Sequence, residues 1–194
     1  MRIFLAGSTG VIGRHLVPLL VAAGHDVAGM TRSPAAAAGL RDAGAVPVVC
    51  DVFDAAALTA AVATFAPDVV MHQLTDLPDD AAALAGGAAA NARIRIEGTR
   101  NLVAAAQASG ASRFLAQSIA WTPTSDVADQ AKLDLERQVL EIGGVVLRYG
   151  QFYGPGTYFE DVPPDPPRVT VPEAARRTLN LLEAPSGVVE IVES

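Results

Sequence analysis

The sequence lacks several features that would set it apart from ordinary globular proteins. It contains one cysteine, Cys50, which excludes an internal disulfide and favours a reducing, cytoplasmic setting. No apolar run reaches the roughly 18 residues that a membrane span requires, so we expect no membrane partner. Hydrophobic residues nevertheless make up 51% of the chain, which is enough for a folded core.

Positive charge is scarce and has an unusual composition. Thirteen arginines stand beside a single lysine, Lys132, and the formal net charge is −7. A nucleic-acid-binding surface needs clustered lysine and arginine to contact phosphates. Arg93, Arg95 and Arg100 are the nearest approach to such a cluster, and we interpret them as a solvated helix face or an interface. We therefore expect no nucleic-acid partner.

Metal ligands are also sparse, because the three histidines share no ligand spacing with Cys50 or with an acidic cluster. We expect no metal site.

Short apolar strands alternate with helical segments along the whole chain. Strands are predicted at Arg2–Ala6, Val27–Met30, Val46–Cys50, Asp68–His72, Arg113–Gln117, Gly144–Arg148 and Val188–Val192. Helices are predicted at Gly10–Ala23, Pro34–Ala43, Ala55–Phe65, Asn91–Ser109, Asp126–Glu141 and Pro172–Glu183. The alanine-rich stretch Ala81–Ala90 could be helix or loop. This alternation is typical of a parallel sheet covered by helices on both faces. The sequence therefore predicts an α/β fold, a doubly wound parallel sheet in a single domain over residues 1–194.

The stretch GSTGVIG connects the first predicted strand to the first predicted helix. Glycines in such a turn let backbone N–H groups approach a pyrophosphate, and the helix N-terminus adds partial positive charge. A tight turn that needs glycine for its backbone conformation, without a ligand, is the alternative. We expect a dinucleotide phosphate loop formed by Gly7, Thr9, Gly10, Val11, Ile12 and Gly13.

The second predicted strand ends in GMTRSP, which carries Arg32 and no acidic residue. Proteins that bind NAD place an Asp or Glu there for the ribose hydroxyls, whereas a guanidinium can pair with a 2′-phosphate. We therefore favour NADP(H) over NAD(H), with a surface arginine as the alternative. Asp51, followed by Val52, could accept a hydrogen bond from the adenine amine, or could simply be a loop or helix-capping carboxylate.

Together these segments resemble the NAD-dependent epimerase/dehydratase family, in the extended or atypical branch of the short-chain dehydrogenase/reductase superfamily. Further matching segments are DVVMHQLT, RIEGTRNLVAAA, RFLAQSIA and VVLRYGQFYGPGT. The resemblance implies a Rossmann-type sheet, a nicotinamide cofactor and a small-molecule substrate above the strand ends. It also implies that Leu74 lies beside the ribose, that Ser118 is the catalytic serine, and that Lys132 is the lysine of the YxxxK motif. In that motif the lysine is both catalytic and cofactor-binding.

The tyrosine of the YxxxK motif is missing, because residue 128 is alanine. Residues i and i+4 share one face of a helix, so the lysine normally lowers the pKa of the phenol, which then exchanges a proton with the substrate. Alanine carries no titratable group. We therefore expect the cofactor-binding part of the site to be intact and the proton-transfer part to be damaged.

The segments that build the substrate cap in this family look short here. We interpret residues from about 150 to 194 as a vestigial substrate-binding portion of the single domain. The resemblance also suggests a homodimer through the helices at about 91–109 and 126–141. Three interpretations remain open: an NADP(H)-dependent oxidoreductase, a non-redox isomerase or cyclase on the same scaffold, and a catalytically inactive dinucleotide-binding regulator.

Overall fold

The computed structural model describes residues 1–78 and 80–193, apart from the side chain of residue 85. Its strands are β1 (Arg2–Ala6), β2 (Asp26–Thr31), β3 (Val46–Val49), β4 (Val69–His72), β5 (Arg113–Ile119), β6 (Val145–Tyr149), β7 (Gln151–Tyr153), β8 (Arg168–Thr170) and β9 (Gly187–Ile191). Seven of them form one sheet in the order β3-β2-β1-β4-β5-β6-β9, and every neighbouring pair is parallel. Strands β7 and β8 form a separate two-stranded parallel sheet.

The helices are α1 (Gly13–Ala22), α2 (Ala37–Asp42), α3 (Ala55–Phe65), α4 (Leu84–Arg93), α5 (Thr99–Ser109), α6 (Asp126–Glu141) and α7 (Val171–Leu179). A π turn over Ile94–Gly98 joins α4 to α5 in one continuous helical stretch. Helices α1 and α7 pack together on one face of the large sheet, and α3, α5 and α6 cover the other.

The central strands are buried on both faces, which explains their nearly continuous apolar sequence. Val69, Val70 and Met71 of β4 are fully buried, and the same holds for four consecutive residues of β1. A parallel sheet needs such strands because its helical crossovers cover both sides. The sheet grows from β1 to β2 and β3 on one side, and the chain then crosses to β4 on the other side of β1. The strand order therefore reverses between β1 and β4, and open α/β sheets bind their ligands at such a switch point.

The predicted α/β class and the doubly wound parallel sheet in one domain are confirmed. The bounds of α3 and α6 agree with the predicted helices, whereas α1 begins at Gly13 rather than Gly10. The difference at α1 arises because the glycine turn, with Gly7 at φ +90°, occupies the intervening residues. The stretch after β4 becomes helical earlier than the predicted Asn91, with a 3-10 turn at Ala81–Ala83 and α4 from Leu84, so Ala81–Ala90 is helical rather than a loop.

Among the described helices, none combines the length and apolarity that crossing a membrane requires.

The C-terminal segment contributes directly to the core. Val169, Val171, Ala174 and Leu182 are buried against α1 and the sheet, and β9 extends the sheet beside β6. These residues therefore complete the fold, and the interpretation of residues 150–194 as a vestigial substrate-binding portion stays a prediction.

Candidate active site

The glycine turn after β1 is closely packed at both of its ends. A Cβ atom on Gly7 would lie 2.4 Å from the carbonyl oxygen of Gln73, and one on Gly13 would lie 2.1 Å from the carbonyl oxygen of Gly7. A Cβ atom on Gly10 would meet only the Gly7 carbonyl oxygen, at 3.3 Å, because Gly10 is exposed. The turn therefore has no room for a side chain at Gly7 or Gly13. At Gly10 the outer side of the turn is open.

The N-terminus of α1 offers backbone donors at this open side. Its capping residue, Ile12, makes no side-chain capping hydrogen bond, whereas Asp54, Ser125 and Thr170 cap α3, α6 and α7. The first N–H groups of a helix lack partners within the helix and favour an anion. Of the predicted phosphate-loop residues, Thr9 and Gly10 are exposed, Val11 is half-buried, and Ile12 packs in the core. The turn therefore fits a dinucleotide phosphate.

Arg32 and Asp51 lie on the β2–β3 side of this turn. The Arg32 guanidinium is 3.3 Å from the Asp76 carboxylate, which belongs to the loop after β4. Asp51 is exposed, and its carboxylate accepts a hydrogen bond from the N–H of Phe53 at 2.9 Å. Val52 is buried, and its carbonyl accepts a hydrogen bond from Asn101 at 2.9 Å. The helix cap of α3 is Asp54, so Asp51 does not cap that helix.

The end of β4 is organised by His72, which is fully buried. The N–H of Leu74 donates to His72 Nδ1 at 3.2 Å, so Nε2 carries the proton and donates to the Thr99 hydroxyl at 3.0 Å. Burial, reinforced by the charge of Arg95, lowers the pKa of His72 to about 3. His72 is therefore a neutral imidazole that fixes the backbone at Leu74, the residue assigned to the ribose.

Ser118 is also fully buried, at the end of β5. Its hydroxyl donates to Glu136 Oε1 at 2.6 Å, and Arg148 on β6 donates to both oxygens of the same carboxylate at 2.9 and 2.6 Å. Burial alone would raise the pKa of Glu136, but the hydrogen bonds from Arg148 and Ser118 outweigh it and hold that pKa below its usual value. Ser118 therefore directs its proton towards α6.

Lys132 lies one turn before Glu136 on α6 and is buried, with 7% of its surface exposed. Its Nζ donates to the carbonyl oxygen of Trp121 at 3.1 Å. Ala128, one turn earlier, is half-buried in the first turn of the helix, where its N–H donates to the capping Ser125 hydroxyl at 3.3 Å. Ala128, Lys132 and Glu136 thus follow one another along one line of α6.

The profile of the NAD dependent epimerase/dehydratase family matches residues 3–125 of this chain. The chain belongs to that family. It is 41% identical, over 191 aligned residues, to a Streptomyces protein named 3-diazoavenalumate denitrifying reductase, with 81% of this chain and 58% of that protein covered. A shorter match, 44% identical over 72 residues, links 37% of the chain to 24% of an uncharacterized protein of Schizosaccharomyces pombe. The chain therefore spans little more than half the length of the first relative, and less of the second.

Solved epimerase structures share the fold of this epimerase/dehydratase family member. The UDP-glucose 4-epimerase of Thermotoga maritima superposes with a TM-score of 0.80 at 20% identity, covering 99% of this chain and 77% of that one. The UDP-glucose 4-epimerase of Thermus thermophilus, solved with NAD, gives a TM-score of 0.79 at 19% identity, covering 99% and 78%. At these identities the likeness establishes the fold.

A third buried side chain, Glu136, lies beside the two residues predicted to be catalytic in this family member. Ser118 contacts Glu136, which shares the inner face of α6 with Lys132. Sequence reasoning missed Glu136, although its spacing of four residues from Lys132 was a signal.

Sequence reasoning also placed Arg95 on a solvated helix face or an interface, which is wrong, because Arg95 is buried within the chain with 7% of its surface exposed. Arg95 lies in the π turn at Ile94–Gly98, and its charge acts on His72. Burial lowers the pKa of Arg95, and the charge of Glu136 partly offsets that lowering.

Proposed function

We propose that this protein is an NADP(H)-dependent oxidoreductase acting on a small molecule whose reduction requires no proton from the enzyme. One observation carries the proposal. At the position of the family's tyrosine the chain places Ala128, beside a buried Lys132, and the proton of Ser118 is already donated to Glu136. Neither of these positions offers a proton to a substrate oxygen.

The residues assigned to the cofactor support the same proposal. The turn formed by Gly7, Thr9, Gly10, Val11, Ile12 and Gly13 would hold the pyrophosphate at the uncapped N-terminus of α1. Arg32 would take the 2′-phosphate, Asp51 and Val52 the adenine, and Leu74 and Lys132 the ribose next to the nicotinamide. A bound nicotinamide dinucleotide supplies hydride transfer. The preference for NADP(H) rests on Arg32 and on the absence of an acidic residue at the end of β2.

The missing phenol restricts the chemistry of the acceptor. Reduction of a carbonyl creates an oxyanion that a positioned acid normally protonates. Hydride addition to a cationic diazo group instead neutralises its positive charge. The neutral product can then lose N2, and the transferred hydrogen ends on the carbon that carried the diazo group. Delocalised acceptors such as flavins and quinones can take their proton from water. The Streptomyces relative is named a 3-diazoavenalumate denitrifying reductase, and this name agrees with a diazo acceptor.

We also propose a homodimer formed through α6 and the helical stretch that contains α5. Ile96, Leu133 and Leu140 expose 39%, 48% and 38% of their surfaces on these elements. Exposed apolar side chains on elements that pack together are typical of a surface that another protein covers. The molar mass in solution, measured by light scattering, tests the dimer.

The cellular setting is a further part of the proposal. Cys50 is buried and unpaired, as expected for a protein of the reducing cytoplasm. We propose a small-molecule substrate and, because the chain is acidic, no nucleic-acid partner.

The experiment that tests the function combines binding with turnover. Fluorescence titrations with NADPH and NADH should show tighter binding of NADPH, and Arg32→Ala should remove that difference. Oxidation of NADPH is then followed with diazonium salts, flavins, quinones and carbonyls, and the first three classes should be reduced faster than carbonyls. NADPH binding without oxidation by any acceptor would identify a regulator. Activity that survives in Arg32→Ala without NADPH binding would identify a non-redox enzyme.

A further inference from the structure

An ion pair spans the mouth of the proposed cofactor site. Arg32 follows β2 and Asp76 follows β4, and these strands flank β1 on opposite sides. Two strand spacings, about 9.5 Å, separate β2 from β4. The 3.3 Å contact between the Arg32 guanidinium and the Asp76 carboxylate therefore crosses the end of β1, where the glycine turn begins at Gly7.

The two partners differ in how firmly they are held. The N–H of Asp76 donates to the Asn91 side chain of α4 at 3.1 Å, and 33% of the Asp76 side chain is exposed. The Arg32 side chain is 55% exposed. Asp76 therefore presents a placed negative charge, and the longer Arg32 side chain reaches across to it.

We propose that Asp76 determines cofactor choice by competing with the 2′-phosphate of NADP(H) for Arg32. This inference rests on the proposed function, because it concerns the same cofactor site. A phosphate monoester carries about −1.5 to −2 charges near neutral pH, so a fixed carboxylate beside Arg32 opposes its binding. The same carboxylate neutralises Arg32 when no 2′-phosphate is present. It can also accept hydrogen bonds from the ribose hydroxyls of NAD(H), as an acidic residue at the end of β2 does in other proteins.

Removing the carboxylate therefore has opposite effects on the two cofactors. Asp76→Asn leaves Arg32 without competition, so NADPH should bind about fivefold more tightly, the upper range for a partly exposed ion pair. NADH should bind equally or less tightly, because an amide is a poorer acceptor than a carboxylate. Arg32→Gln should weaken NADPH about tenfold or more and leave NADH nearly unchanged, because it removes a charge-assisted contact to phosphate alone.

The test is calorimetric titration of wild type, Asp76→Asn, Asp76→Ala and Arg32→Gln with NADPH, NADH, adenosine 2′,5′-bisphosphate and AMP. The two nucleotides differ in the 2′-phosphate and contain no nicotinamide, so their binding does not depend on hydride transfer. The matched control is Asp26→Asn, which removes an exposed carboxylate at the opposite end of β2 and should change none of the affinities. The gain in Asp76→Asn should shrink at high salt, because the charges are partly exposed.

Each outcome decides the inference. Tighter binding of the 2′-phosphate ligands by both Asp76 variants, without a matching gain for NADH and AMP, supports it. Unchanged or weaker binding of those ligands by the Asp76 variants overturns it, because Asp76 would then merely orient Arg32. Absence of binding in wild type and both variants overturns it as well. Loss of NADPH oxidation with the affinity shifts intact would contradict the proposed function alone, and oxidation with equal affinities would contradict the role of Asp76 alone.

Discussion

The Ser118 hydroxyl donates a hydrogen bond to the Glu136 carboxylate across 2.6 Å, and both side chains are buried. Because Arg148 binds the same carboxylate, this contact joins the ends of β5 and β6 to α6. It also fixes the helix turn from which Lys132 emerges. Ser118 therefore helps to hold α6 against β5 through Glu136.

Glu136→Gln should destabilise the fold by about 2 kcal/mol. Loss of one partner of a buried ion pair leaves the other charge uncompensated, and the partial exposure of Arg148 keeps the cost below the full range for such pairs. The measurement is urea unfolding monitored by circular dichroism. The control is Glu141→Gln, which removes an exposed partner of Arg137 on the same helix and should leave the unfolding midpoint unchanged. Equal midpoints for both variants would contradict the role of the network.

Alanine substitutions at two glycines of the turn should have different effects. Gly13→Ala should destabilise the fold strongly, because the new Cβ atom meets backbone atoms at 2.1 to 2.8 Å. Gly10→Ala should fold nearly normally, with one backbone contact at 3.3 Å, but should weaken dinucleotide binding at least about tenfold by blocking the approach of the phosphate. Unfolding midpoints and NADPH titrations measure the two effects. Gly39→Ala, in an open helical position, is the control and should retain binding.

A folded Gly10→Ala variant that binds NADPH as tightly as wild type would show that the turn serves the fold and not a ligand.

Local sequence signals were sufficient to place most of the fold. Helix α6 was predicted with its observed bounds because Ser125 and Asp126 mark its start and Gly143 follows its end. The sequence leaves the start of α4 open between helix and loop, because Gly86 and Gly87 weaken helix propensity within an alanine-rich stretch. Strands β7 and β8, of three residues each, carry too short a pattern to be recognised.

Long-range contacts account for what the sequence did not reveal about the site. The glycine turn is a local backbone motif and could be recognised from Gly7–Gly13 alone. The contact of Ser118 with Glu136, like the pairing of Arg32 with Asp76, joins residues that only the packing of strands and helices brings together. Arginine is rarely buried, so pattern reasoning placed Arg95 at the surface.

The neutral, buried His72 predicts a specific pH dependence of stability. The unfolded chain takes up a proton at His72 near pH 6.5, and the folded chain does so only near pH 3. The stability that neutral His72 contributes is therefore complete above pH 6.5 and is lost as the pH falls towards 3. Between these two pH values, His72 lowers the free energy of unfolding by about 1.4 kcal/mol for each pH unit.

His72→Asn should flatten this dependence. The Asn side chain can accept from the N–H of Leu74 without titrating, at the cost of the bond to Thr99, about 1 kcal/mol at neutral pH. Urea unfolding should be measured from neutral pH down to 4.5, because Glu136 and other carboxyl groups add their own effects near and below the usual glutamate value of 4.5. The same slope in wild type and His72→Asn would contradict the assignment.

The most direct test of the catalytic proposal restores the missing phenol. Ala128→Tyr places a hydroxyl one helix turn from Lys132, at a half-buried position in the first turn of α6. Because a positioned general acid contributes about 10²–10⁴-fold, reduction of carbonyl substrates by NADPH should rise at least about tenfold even with imperfect placement. Ala128→Phe is the matched control, since it adds the ring without the proton and should show no gain. Reduction of acceptors that need no proton from the protein should change equally in both variants. An equal effect of both variants on carbonyl reduction would show that the absence of the tyrosine does not limit this reaction.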